Sequence, residues 1–469
     1  MAGFYIENFG CRAARADGEA VSASLRSEGL AEAPLASAEI VLVNTCSVTA
    51  EADRDARAFV RKTRRTNPAA KIVVTGCYAQ RAPQELAALE GVTAVVGNSH
   101  KALLPELIPN LLREAKQTAP SPLLPIATLV HSAAPGSAPS SIPIWADDQF
   151  AHSFLEEVPL VSGSEPGSQT RAQTRPNLKI QEGCSNRCTF CIIPTTRGHS
   201  RSLPAEKVLT QVRGFVAAGG HELVLSGINL GRWGRDLPGS PTFSGLIREI
   251  LTTTNLARLR LSSIEPMDWT TDLIALLREY TPSAQIARHT HLPLQSGSDA
   301  VLRRMHRRYR PWHYEQKVAA LVDALGPQLA LGADVMIGFP GETDAEFRET
   351  YDLIARLPFT YLHLFPFSAR PGTRGWDLHR QSPVHARAVQ ERMAVLRILA
   401  QEKSLIFRRS QIGSALPAIT LHTPPETAAH CRTLALTDNF LSVELDQPLP
   451  ANQLVNLHLT DMHLATLHP

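Results

Sequence analysis

Four of the seven cysteines in this 469-residue chain stand directly behind a short strand-like run, and that placement constrains the fold most. FYIENFG (4–10) leads into Cys11, EIVLVNT (39–45) into Cys46, KIVVTG (71–76) into Cys77 and NLKIQEG (177–183) into Cys184. Between the first runs, and around a fourth (TAVVG, 93–97), the stretches 17–29, 50–66, 81–90 and 100–115 carry helical spacing. Strands alternating with helices specify a parallel α/β sheet. Ligands of such a sheet gather outside the carboxyl ends of its strands. Cys11, Cys46 and Cys77, far apart in sequence, are thereby expected on one edge in space. A buried cysteine is often only a small core hydrophobe, but the repeated offset argues against three unrelated ones.

From 177 to about 405 the alternation returns on a larger scale. NLKIQEG, ELVLSG, ARLRLSS, ARHTHLPL, ALGADVMIGF and TYLHLFPF read as strands with helices between them. Six βα units predict a partial (β/α)6 barrel with its site at the C-terminal ends of the strands. From about 410, PAITLHT, TLALT, LSVELD and LVNLHLT alternate apolar and polar, the period of half-buried strands. The fold class expected is therefore α/β: an N-terminal parallel-sheet domain (1–115), a Pro/Ser/Ala-rich linker or long excursion (116–176), the barrel (177–405) and a small all-β domain (406–469).

A hydrophobic content of 43% and a charged content of 19% describe an ordinary soluble globular protein. Neither a signal peptide nor a membrane-length apolar run is found, so a cytoplasmic location is expected. A reducing compartment disfavours disulfides, and clustered cysteines there point to metal or catalysis.

The segment KIQEGCSNRCTFCIIPTTRGHSRS (179–202) spaces Cys184, Cys188 and Cys191 as Cys-x3-Cys-x2-Cys. Such offsets also fit one face of a core helix, but Gly183 and Pro194 frame a loop instead. A structural zinc would want a fourth nearby ligand, and the candidate His199 lies eight residues beyond Cys191. Three thiolates can hold three irons of a [4Fe–4S] cluster and leave the fourth open for chemistry. The N-terminal triad makes a second such site.

With Phe190 just before its last cysteine, the central segment resembles the radical-SAM signature. The whole chain resembles the methylthiotransferase branch of those enzymes. The residues that carry this are Gly10-Cys11 with Glu19, Val43-Asn44-Thr45-Cys46, Thr75-Gly76-Cys77-Tyr78-Ala79-Gln80, Val96-Gly97-Asn98, His291 to Ser298 and Asp334 to Thr343. Ala14 departs from the usual Asn. The resemblance implies two [4Fe–4S] clusters, an auxiliary one on Cys11, Cys46 and Cys77 and one binding S-adenosyl-L-methionine on Cys184, Cys188 and Cys191. It also implies a TRAM-like C-terminal domain and two molecules of S-adenosylmethionine per reaction, one donating methyl and one the radical. No side chain is assigned as acid or base. Phe190, Ser226, Gly227, Asn229, Glu265, Gly338 and Pro340 are expected around S-adenosylmethionine.

Members of this family modify tRNA adenosine-37 or a ribosomal-protein aspartate. Cys77 to Gln80, Arg197 to Ser202 and Ser262 to Pro266 resemble the branch acting on N6-threonylcarbamoyladenosine; isopentenyladenosine-37 and the aspartate are the alternatives. A non-catalytic iron–sulfur protein or zinc RNA-binding protein is the reading from another class, disfavoured by two incomplete three-cysteine sites. The implied partners are the tRNA anticodon arm and an electron donor such as flavodoxin or ferredoxin, with no membrane.

The net charge of +3 does not by itself mark a nucleic-acid binder. Locally, Arg54, Arg57, Arg61, Arg64 and Arg65 recur on one helical face, and Arg303, Arg304, Arg307, Arg308 and Arg310 form a second cluster. Such patches can neutralise phosphates, though solvated helix faces look the same. The tail from Gln411 holds one arginine, Arg432, against Glu426, Asp438, Glu444, Asp446 and Asp461, which argues against RNA binding there. Cys431 is expected in the core of that domain.

Overall fold

β1 (Gly3–Asn8), β2 (Ala31–Glu32), β3 (Ile40–Thr45), β4 (Lys71–Gly76), β5 (Val92–Gly97) and β6 (Ile144–Trp145) form a parallel sheet ordered β2-β1-β3-β4-β5-β6. Its strands read as unbroken apolar runs because helices cover both faces. Val41, Val43, Ile72 and Val74 enter one core, while Ile40, Leu42, Val73 and Val96 enter the other, following the two-residue period of a strand. The computed structural model describes residues 2–114, 142–146 and 174–460. The linker or excursion expected over 116–176 lies outside them, apart from 174–176 and from 142–146, where Ile144–Trp145 form β6 at the sheet edge.

The helices of this unit are α1 (Arg12–Ser27), α2 (Ala50–Thr66), α3 (Cys77–Arg81), α4 (Pro83–Ala87) and α5 (Leu104–Glu114). Thr49 starts α2 by accepting from the Ala52 N–H, and Glu51 and Asp53 suit its positive end. The stretch expected as one helix over 81–90 holds only the last residue of α3 and then α4, two short helices. Pro83 begins the second and denies the first its continuation. Gly183–Ser185 and Ile192–His199, with α6 (Ile193–Arg197), also belong to this unit.

The second unit holds the barrel. β7 (Asn177–Glu182), β9 (Glu222–Gly227) and β10 (Arg258–Leu261) run parallel, as do β11 (His289–His291), β12 (Ala330–Ile337) and β13 (Tyr361–Pro366). A parallel bridge from Leu259 to Ile286 joins the two sets. β8 (Arg201–Ser202) adds an antiparallel edge to β7. The six parallel strands are those read from the sequence. Helices between them bury one stripe each, as with Val208, Leu209, Val212 and Phe215 on 205–217.

After the long helix Ala386–Ser410, β14 (Ala415–Thr420), β15 (Thr433–Thr437), β16 (Ser442–Leu445) and β17 (Leu454–His458) form an antiparallel sheet ordered β16-β15-β14-β17. Its β15–β16 turn closes the N-terminal mouth of the barrel. Fully buried Arg260 bonds Glu222 at 2.8 Å and the carbonyls of Thr437 and Asp438 at 3.1 Å. Arg288 grips the Asp438 carboxylate at 2.6 and 3.0 Å, and Phe440 packs on His289 and Tyr361. Asp438 is thus a docking residue and not part of an acidic surface. Cys431 is corrected too: it is exposed, at a positive φ of 55° just past the helix Pro425–Ala429. Among the described residues no helix is long and apolar enough to cross a membrane.

Candidate metal centres

The N-terminal cysteines meet where three strands end. Cys11 caps α1, Cys46 follows β3 and Cys77 opens α3. Gly10, at φ 102°, passes so close to Cys46 that a Cβ would lie 2.8 Å from its sulfur, so a side chain there would crowd the thiols. Burial pushes the Cys46 thiol up to about 12, and Cys77 and Cys11 add to the rise, against the Val48 N–H and Arg197. A buried thiol whose ionisation is hindered in this way suits a soft cation that displaces its proton. Cys11 is exposed while Cys46 and Cys77 are buried, so the set is open on one side. These residues fit a cluster held by three thiolates.

N–H groups point at the sulfurs. The Val48 amide lies 3.5 Å from Cys46 Sγ; Asn98 Nδ2 at 3.4 Å and Arg197 Nε at 3.3 Å both donate to Cys77 Sγ. Arg197, the last residue of α6, is held by Asp17 at 3.1 Å, which also binds Lys101 at 2.7 Å. Asn98 further donates to the Thr196 carbonyl at 2.8 Å. Asn98 appears in the sequence motifs, but the roles of Arg197, Asp17 and Lys101 do not.

Of the central triad, Cys184 belongs to the N-terminal unit, where its N–H bonds the Gly198 carbonyl at 3.0 Å. Cys188 and Cys191 belong to the barrel unit and form a turn, with the Cys191 N–H 3.1 Å from the Cys188 carbonyl. Thr189 anchors that turn to the carbonyls of Met305 at 3.1 Å and Arg304 at 3.0 Å, and Gly375 clips it at 2.6 Å. Arg307 donates to Cys188 Sγ at 3.3 Å and pairs with Glu265 at 2.5 Å. Burial alone would lower the Arg307 pKa, but Glu265, Tyr309 and Cys188 hold it well above the usual arginine range. Arg307 thus brings a fixed positive charge to a ligand-type sulfur.

The residues expected around S-adenosylmethionine fall mainly at the C-terminal ends of barrel strands. Ser226 and Gly227 end β9, and Asn229 follows with its N–H on Gln181 Oε1 at 2.6 Å. A Cβ on Gly227 would stand 2.9 Å from that of Gln181, so Gln181, which sequence reading missed, shapes this turn. Phe190 is half-buried beside Cys191. Gly338, at φ 76°, donates to Glu342 at 2.9 Å just past β12, and Pro340 is buried in the same turn. Glu265 carries the Arg307 pair described above. A polar group unforeseen as a unit lies on the strands themselves. Asp334 stands 3.4 Å from His291 Nε2 and 3.2 Å from His363 Nδ1, and Ser263 lies 3.0 Å from His291 Nδ1.

The arginines divide. Arg54, Arg61 and Arg65 form an exposed stripe on α2. Arg57 instead bonds the Tyr78 hydroxyl at 2.6 Å, and Arg64 bonds the Pro68 carbonyl. In the second cluster Arg303 and Arg310 pair with Asp299, Arg304 with Glu346 and Arg307 with Glu265. Four of those five are engaged with carboxylates, so that cluster is no free phosphate surface.

Residues 3–97 match the uncharacterized protein family UPF0004, and residues 178–354 match the Radical SAM superfamily. A threonylcarbamoyladenosine tRNA methylthiotransferase, MtaB, of Aquifex aeolicus (strain VF5) is 32% identical over 420 residues, 90% of each chain. Its namesake in Bacillus subtilis (strain 168) is 33% identical over 445 residues, covering 94% of this chain and 90% of the relative. A tRNA-2-methylthio-N(6)-dimethylallyladenosine synthase of Geobacter metallireducens is 32% identical, covering 80% and 77%. Among solved structures, the radical S-adenosylmethionine methyltransferase TsrM of Kitasatospora setae shares the fold, with a TM-score of 0.55 at 17% identity over 81% of this chain and 78% of that one. With cysteine triads in both matched regions and relatives alike along nearly the whole length, the chain belongs to the radical-SAM methylthiotransferases.

Proposed function

We propose that this protein adds a methylthio group to C2 of N6-threonylcarbamoyladenosine-37 in tRNA, using S-adenosylmethionine and two [4Fe–4S] clusters. The observation that carries this is the second thiol site: Cys11, Cys46 and Cys77 gather behind three strand ends, beside donors aimed at the Cys46 and Cys77 sulfurs. When bound, the barrel cluster supplies the radical chemistry and the auxiliary cluster the sulfur to be methylated and transferred. The chain's part is to hold the two sets of thiolates, exclude water around the buried sulfurs and seat the base. Electrons would come from a flavodoxin- or ferredoxin-like donor, and the work would be done in the cytoplasm, where tRNA is modified.

Two features favour the threonylcarbamoyl substrate. Relatives bearing that name match 90% or more of this chain in Aquifex and Bacillus. The barrel also carries His291, Asp334, His363 and Ser263 together. Polar side chains suit an N6 group with a carboxylate and a hydroxyl better than an apolar dimethylallyl group. Mass spectrometry of tRNA nucleosides, from a strain lacking such activity with and without this protein, tests the reading. The expected result is 2-methylthio-N6-threonylcarbamoyladenosine. A methylthiolated dimethylallyladenosine would redirect the substrate, and no new methylthio nucleoside would overturn the proposal.

A further inference from the structure

We infer that Arg197 is the positioning residue that sets the electronic poise of the auxiliary cluster, through its hydrogen bond to Cys77 and the buried charge it brings there. This rests on the reading of Cys11, Cys46 and Cys77 as cluster ligands. Arg197 is 0% exposed, its Nε lies 3.3 Å from Cys77 Sγ, and its Nη1 lies 3.1 Å from Asp17. Asp17 binds Lys101 at 2.7 Å, and both side chains are 5% exposed or less. Arg197 and Lys101 thus bring two buried cations to this corner, with the Asp17 carboxylate between them. Asn98 Nδ2, at 3.4 Å, gives the same sulfur a second N–H.

A structural ion pair needs only its two partners, and a buried pair is weak support for stability by itself. This guanidinium instead turns one N–H to a carboxylate and another to a ligand sulfur, the geometry of a residue addressing the metal site. Hydrogen bonds to ligand sulfurs and nearby charge are among the main determinants of iron–sulfur reduction potential. The guanidinium's positive charge and two N–H donors at Cys77 stabilise the electron-rich, reduced cluster. The sign is therefore fixed. Losing the arginine's charge makes the cluster harder to reduce, and losing the opposing Asp17 charge makes it easier.

The test uses full-length protein in which Cys184, Cys188 and Cys191 are Ala, so that only the auxiliary cluster is seen. After anaerobic reconstitution, iron is counted and the reduced fraction is followed by electron paramagnetic resonance against applied potential. Arg197→Gln should lower the reduced-to-oxidised ratio at a fixed potential at least tenfold, about 59 mV for a one-electron couple. Arg197→Lys, which keeps the charge, should recover part of that shift. Asn98→Ala should move the ratio the same way by less, and Asp17→Asn should raise it. Unchanged potentials in cluster-bearing Arg197→Gln, or Arg197→Gln and Asp17→Asn moving together, would overturn the proposal. Where Arg197→Gln holds no cluster, Asn98→Ala and Arg197→Lys decide it, and wild-type potentials in both overturn it. Absence of iron from the parent with Arg197 intact would instead overturn the two-cluster reading.

Discussion

Both thiol sites set an arginine between a ligand sulfur and a carboxylate, yet the two settings differ. At the N-terminal site Arg197 links Cys77 to Asp17, with side-chain exposures of 0% and 5% for the ion pair. In the barrel unit Arg307 links Cys188 to Glu265, with exposures of 5% and 23%. Asp17 also serves a second buried cation, Lys101, whereas no second ion pair is seen for Glu265 among the described residues. The first arrangement is sealed and charge-rich, suited to a fixed environment around sulfur. The second keeps a partly exposed carboxylate behind the arginine, where a small ligand arriving from solvent can reach it. On the proposed reading, the same pairing would serve a static cofactor in one place and a site of ligand exchange in the other.

The sharpest way to break this comparison is to remove the thiols themselves. Cys184→Ala, Cys188→Ala and Cys191→Ala together should halve the iron and abolish 5′-deoxyadenosine formation. The triple change of Cys11, Cys46 and Cys77 to Ala should also halve the iron, but leave 5′-deoxyadenosine formation measurable while methylthio product disappears. Normal product from the second variant, or cleavage of S-adenosylmethionine by the first, would dissolve the division of labour.

A smaller effect separates the arginines. Charge-assisted hydrogen bonds contribute about 1.5–3 kcal/mol, roughly ten- to a hundredfold in rate where the transition state uses them. Arg307→Met should therefore slow 5′-deoxyadenosine formation by about 10–100-fold. Arg197→Gln, measured alongside, should leave that rate near wild type. Equal losses in both variants would mean that the two sites are not specialised as their exposures suggest.

The cysteines were legible because their signal is local: each N-terminal one lies within three residues of the end of its strand. Their supporting residues were not. Arg197 meets a carboxylate 180 positions away and Arg307 one 42 positions away, and no periodicity encodes such pairings. Arg307 sits among five arginines in eight residues, which in sequence is indistinguishable from a solvated basic patch. Asp438 entered a charge count as surface, but its partner Arg288 lies 150 residues earlier. The break at Pro83 was available as a local signal, since proline at a helix start is a common boundary. The βα alternation gave the strands of both sheets because a buried parallel strand has little freedom in composition.

The smallest effect concerns RNA and follows from the sorting of the α2 arginines. Arg57 and Arg64 are bonded within the protein, whereas Arg54, Arg61 and Arg65 are exposed on one side of the helix that follows Cys46. If that stripe meets phosphates, changing all three to Gln should weaken tRNA binding and flatten its dependence on salt. Each lost contact removes about 0.7–0.9 from the log–log slope, so the triple variant should lose roughly two units. Arg57→Gln should change the slope little, because its hydroxyl partner on Tyr78 already occupies it. Glu85 bonds the same hydroxyl at 2.7 Å, and Arg81 stacks over the ring, so this corner is internally satisfied. Cleavage of S-adenosylmethionine without tRNA should survive in both variants, since neither touches a ligand cysteine. Deleting 411–469 is the wrong comparison for this purpose, because it would unseat Asp438 and Phe440 and open the barrel mouth. Arg432→Gln is the cleaner control: that arginine is tied to Glu444 at 3.2 Å and Asp446 at 3.0 Å, and its loss should leave the slope unchanged. A slope that falls with Arg432→Gln and not with the α2 triple variant would move RNA recognition to the C-terminal sheet.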